Sequence, residues 1–146
     1  MSKTMKLMSV ALLLATATLA RAELVVEAGH VRASLPGSTT TAAYMTLKNT
    51  GDADIVITAA SSPAAAHVSF HSTMNHGGMM HMMDMESLKI PAHKSLVLEA
   101  GGDHLMLEKT TAALAEGTTV ELTFQLADGQ HKTVKLPVKS VMNEKP

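Results

Sequence analysis

From Leu24 onward the apolar residues recur at every second position in short runs, and that period restricts the chain to β-strands. In the segment 118–126 (TTVELTFQL), Val120, Leu122, Phe124 and Leu126 share one face while Glu121, Thr123 and Gln125 share the other. That alternation is the pattern of a half-buried antiparallel strand. The Ala127-Asp128-Gly129-Gln130 turn joins it to 131–138 as a terminal hairpin. Similar runs lie at 24–28 with 30–34, and at 42–48, 54–58, 67–71, 87–90, 95–99 and 104–108. Each is bounded by Gly, Pro, Asn, Asp or Ser. Helical periodicity is confined to one short turn over 111–116 (TAALAE). Eight or nine short strands at this spacing predict an all-β single domain, a Greek-key β-sandwich or barrel.

Residues 1–22 read as an address and not as part of that fold. Lys3 and Lys6 form a positive start, 7–19 form a short apolar stretch, and Ala20-Arg21-Ala22 supplies a small-x-small cleavage pattern. The stretch is short for a bilayer span, and no second apolar span follows. The expected product is residues 23–146, one free-standing unit of ordinary domain size released into the periplasm, with no integral membrane segment after signal removal.

Composition then removes function classes. The sequence holds no cysteine, so disulfides, thiol catalysis and thiolate metal ligation are excluded, and with them a blue-copper electron-transfer site. Without residues 1–22 the chain has nine Lys and Arg against thirteen Asp and Glu, and no basic run, which disfavours nucleic acid. Tyr44, Phe70 and Phe124 are the only aromatic residues of the Phe, Trp and Tyr class, too few for a stacking platform.

Methionine and histidine are the outliers, at twelve and eight residues, and Met74, Met79, Met80, Met82, Met83 and Met85 fall close together. In His104-Leu105-Met106, strand geometry puts the imidazole and thioether on one face with Leu105 behind them. His71 ends another run and offers a second imidazole, and the Met-rich segment offers further thioethers. Thioether sulfur is a soft neutral donor suited to Cu(I) and poor for Zn(II), Mg(II) or Ca(II). Composition leaves two readings open: metal binding, or methionine serving as core filler or recognition surface. Gly77-Gly78 and Asn75 predict that the segment MNHGGMMHMMDM is a loop.

The spacing His71-x10-Met82-x21-His104-x-Met106 resembles the signature of the periplasmic PCuAC-type copper chaperones. Gly78-Met79-Met80-His81-Met82, Ile90-Pro91-Ala92 and Gly101-Gly102-Asp103-His104-Leu105-Met106-Leu107 resemble that family's motifs, as do Ala42-Ala43-Tyr44-Met45, Asn49-x-Gly51 and Ser61-Ser62-Pro63-Ala64. The chain departs from it at Ser69-Phe70-His71, where members often carry Glu-Leu-His, and in the additional His76 and His81. The resemblance implies a cupredoxin-like fold with a surface Cu(I) site made by His71, Met82, His104 and Met106. It also implies delivery to the CuA centre of cytochrome c oxidase subunit II, alone or beside a Sco-type thiol protein.

Such a carrier works by ligand exchange and is not an enzyme; no Ser/His/Asp order or paired carboxylates stand in a catalytic setting, and Asp84 and Glu86 read as loop charges. His76, Met79, His81, Met83 and Met85 could hold a second copper, Cu(II), through the imidazoles. The competing readings are a periplasmic copper-sequestering or resistance protein and a metal-free β-sandwich interaction module. A monomer is expected.

Overall fold

The computed structural model describes residues 23–143; the expected signal segment 1–22 lies outside the described residues. Ten strands form: β1 (Leu24–Arg32), β2 (Thr41–Asn49), β3 (Ile55–Ser62), β4 (Ala65–His76), β5 (Met79–Met85), β6 (Leu88–Ile90), β7 (Ser95–Leu98), β8 (Asp103–Thr110), β9 (Thr119–Leu126) and β10 (His131–Lys139). One 3-10 turn follows at Val141–Asn143.

Seven strands close on themselves in the order β4-β8-β2-β1-β10-β9-β3, because β3 pairs back onto β4. The β1–β10 pairing is parallel, through Val31↔Val138 and Arg32↔Lys139. Every other pairing is antiparallel. The expected all-β sandwich or barrel is realised as a closed barrel, with β5 carried outside the ring on β4, β6 on β3, and β7 on β2. Among the described residues no helix is long and apolar enough to cross a membrane.

The period of two explains the closure. Val120, Leu122, Phe124 and Leu126 of β9 are buried, and Val31, Ala43, Leu105 and Phe70 on four neighbouring strands join the same core. Their flanking residues consequently point to the outer face. The two expected opening runs are one strand, β1, bent by a register shift between Glu27 and His30. Gly29 sits in that bend with Leu136 Cδ2 2.5 Å from where its Cβ would be.

Two local expectations are corrected. The segment 111–116 is not helical, because its backbone bonds elsewhere: Thr111 N–H donates to the Ala64 carbonyl (3.0 Å), and Leu114 exchanges bonds with the Ser34 hydroxyl and backbone N–H (both 2.9 Å). The Met-rich segment is not a loop. Strands β4 and β5 pair without interruption from Phe70↔Met85 to His76↔Met79. Gly77 and Gly78 have φ of 62° and 85°, the left-handed pair that a two-residue hairpin turn requires. The glycines thus make the turn of an arm that runs out past the barrel.

Candidate metal centre

Strand register decides which side chains meet. On β4 and β8, His71 is paired with His104 and Ser69 with Met106. On β4 and β5, His71 is paired with Asp84 and Thr73 with Met82. Counting by twos, His71, Met82, His104 and Met106 all fall on the outer face of the continuous β5-β4-β8 surface. Leu105, between His104 and Met106, is fully buried on the inner side.

The same counting extends across the barrel. Ala43 is paired with Leu105, so Tyr44 stands beside His104, and Tyr44 is itself paired with His30. A row of rings results, running His30, Tyr44, His104, His71 and ending at Asp84. Ring centroids are 5.5 Å apart for His30 and Tyr44, 6.4 Å for Tyr44 and His104, and 5.8 Å for the nearly parallel His71 and His104. One step along the strands a second row crosses the face as Arg32, Ala42, Met106 and Ser69, from the Ala42↔Met106 and Ser69↔Met106 pairings.

Hydrogen bonds set the imidazole tautomers. His104 Nδ1 lies 3.0 Å from the Gly102 carbonyl oxygen. A carbonyl only accepts, so Nδ1 carries the hydrogen and Nε2 has the lone pair. His104 is only 6% exposed, which holds that ring in one orientation. His71 Nδ1 lies 3.1 Å from Asp84 Oδ1, yet this buried nitrogen has no aligned hydrogen bond. The contact is electrostatic in character. A carboxylate also only accepts, so it favours hydrogen on Nδ1, leaving the His71 Nε2 lone pair to accept from the Ser69 hydroxyl at 2.7 Å.

Met82, His104 and Met106 line one cleft of about 330 Å³, together with Arg32, Thr41 and Tyr44. His71 is not on its wall and enters through the stacking on His104. Met82 is 55% exposed on the arm, whereas Met106 is half-buried on the barrel. Among the described residues no three His, Asp or Glu side chains gather as a metal-holding group. The donors on the cleft wall are one imidazole and two thioethers, and that donor chemistry fits a soft monovalent ion.

The extra donors named from sequence sit on the other side of the arm. His76, Met79, His81, Met83 and Met85 share its opposite face by register, with His76 and His81 ring centroids 6.5 Å apart. Met85 packs against the core and is withdrawn from that set. Sequence reasoning missed Ser69, Asp84, Tyr44 and Arg32 as neighbours of the centre. Asp84 reads as a loop charge when the arm reads as a loop, and only the cross-strand register brings it to His71.

The family model described as "Putative lipoprotein LpqE-like" matches residues 24–138. The protein named "Putative lipoprotein Lxx21020" from Leifsonia xyli subsp. xyli (strain CTCB07) is 36% identical over 104 residues, covering 70% of this chain. The chain spans 63% of that relative's length. The solution structure of Cu(I)-DR1885 from Deinococcus radiodurans is 37% identical, with a TM-score of 0.64 and 78% of each chain covered. The copper-bound PCuAC domain from PmoF2 has a TM-score of 0.67 over 79% of this chain and 91% of its own; at 21% identity it speaks to the fold.

Proposed function

The chain belongs to the LpqE-like family, and from that premise we propose that it is a periplasmic copper chaperone holding Cu(I) through His71, Met82, His104 and Met106. The observation that carries the reading is the meeting of Met82, His104 and Met106 on one cleft, with His71 stacked against His104. The Cu(I)-bound state of the similar DR1885 structure supports the choice of metal.

The ion is cargo. His104 and Met106 are the preorganised pair, because both stand on a strand paired on two sides within the closed ring. His71 is the third anchor. Met82 is the mobile donor that leaves first, since it alone stands on the arm's outer strand, bonded only to β4. All four donors are neutral, so a thiolate acceptor gains on each exchange and draws the ion away stepwise. The resemblance to PCuAC chaperones makes the CuA centre of cytochrome c oxidase subunit II the proposed destination, directly or with a Sco-type thiol protein.

The opposite face of the arm favours one addition. His76 and His81, with Met79 and Met83 beside them, are proposed to take a second copper as Cu(II). Sequestration instead of delivery would use the same donors. A deletion strain separates the two: loss of oxidase activity at low copper supports delivery, and copper sensitivity alone supports sequestration. The site itself is tested by replacing Met82. Met82→Ala is expected to weaken Cu(I) binding and alter the release rate; unchanged affinity and rate would remove Met82 from the set.

A further inference from the structure

The cleft beside the proposed ligands is far larger than an ion. Its volume is about 330 Å³. The space arises where the Arg32-Ala42-Met106 row has its smallest member. Ala42 leaves a gap between the Arg32 and Met106 side chains, while Tyr44 and His104 fill the corresponding positions of the adjacent row. Arg32 forms the far wall, its guanidinium carbon 5.1 Å from the centroid of the Tyr44 ring. Thr41 pins that corner by donating its hydroxyl to the Arg32 carbonyl at 2.7 Å. Leu35, Thr40, Ala100 and Gly101 complete the rim.

Charge decides what such a cleft takes. Four neutral donors leave the charge of Cu(I) uncancelled by its own ligands, and the Arg32 guanidinium stands on the wall of the same cleft, whereas the Asp84 carboxylate lies off that wall beside His71. A soft, singly charged anion is the complementary guest, and among protein side chains that is a cysteine thiolate. We propose that this cleft is the entry slot for an acceptor protein's cysteine thiolate, with Arg32 recognising its charge and Ala42 providing its room. This rests on the copper reading above. In the exchange the acceptor thiol first loses its proton to solvent. Its sulfur then forms a bond to Cu(I) as the Met82 sulfur–copper bond breaks and that thioether leaves with its lone pair. Copper remains monovalent and no electron is transferred.

The test uses the full chain loaded with Cu(I) and two synthetic acceptor peptides of equal length, one with two cysteines and one with histidine and methionine only. Arg32→Gln is expected to slow transfer to the cysteine peptide on the order of tenfold and flatten its salt dependence. Transfer to the neutral peptide should be unchanged, Arg32→Lys should retain most of the rate, and Ala42→Leu should slow the cysteine peptide at least as much. Cu(I) affinity measured by chelator competition should stay within about twofold of wild type. Wild-type transfer rates in Arg32→Gln and Ala42→Leu, with Cu(I) affinity intact, would overturn the slot alone. Equal slowing of both peptides by Arg32→Gln would overturn the charge recognition. A wild-type chain that fails to bind Cu(I) would bring down the slot together with the copper reading.

Discussion

At the scale of single residues, Ser69 and Asn49 carry opposite kinds of work. The Ser69 hydroxyl bonds the His71 nitrogen that the copper reading needs as a donor. A hydrogen bond of this kind contributes about 1 kcal/mol, so Ser69→Ala should raise Cu(I) affinity by roughly fivefold. Chelator competition reads this directly, and a fall in affinity would mean that Ser69 instead orients the ring. Asn49 is 1% exposed and structural. Its amide donates to the Ala53 and Ile90 carbonyls at 2.7 and 3.0 Å, and its oxygen accepts from Gly51 N–H at 3.0 Å. Asn49→Ala should cost about 2–3 kcal/mol, seen as a lower denaturant midpoint at unchanged slope. The same Ile90-Pro91-Ala92 turn is held from its other side by Asp54, which accepts from Ala92 N–H at 3.0 Å. That bond first, and the Lys89 charge second, hold the Asp54 carboxyl below the usual carboxylate range. The sequence shows Asn49 and Gly51 as turn residues, but the partner 41 residues away belongs to packing and is invisible in it.

Among elements, the β4–β5 arm is where sequence reading and structure part. Its residues were legible as metal donors and illegible as strands, because methionine lacks the β-branched signal of Val and Ile and the two glycines suggest a loop. Pairing of the backbone onto β4 outweighed that weak local preference. The consequence is chemical as well as architectural: a hairpin sends alternate thioethers to opposite faces, and only one face looks toward His104. Met79, Met80, Met82 and Met83 are between 50% and 65% exposed, while Met45 in the core is 2% exposed. Limited peroxide treatment should therefore convert these four methionines to sulfoxides before Met45. Prior loading with one equivalent of Ag(I), a redox-inert stand-in for Cu(I), should shield Met82 and leave Met83 reactive. Peptide mass spectrometry checks this, and equal oxidation of Met82 and Met83 in the loaded protein would argue against Met82 as a donor.

For the whole molecule, the closed ring is the scaffold and the arm is its appendage. Alternation made the strands of the ring legible, since each run shows which residues face inward. Closure itself was not legible, because it depends on β3 meeting β4 and on the short parallel contact between β1 and β10. The core and the proposed site occupy opposite sides of the same strands, so they should respond separately to mutation. Phe124→Ala, at a fully buried position, should cost about 3–5 kcal/mol in thermal or denaturant unfolding. Under conditions where the variant remains folded, its Cu(I) affinity should match wild type.

The central claim is that two imidazoles and two thioethers on one outer face hold one Cu(I). A competitive Cu(I) titration of the protein against a coloured chelator, repeated with His104→Ala and Met106→Ala, tests it most directly. The account predicts saturation at one Cu(I) per chain and at least tenfold weaker binding in each variant, about 1.4 kcal/mol or more. No competition by the wild-type protein, or binding unchanged in both variants, would contradict it.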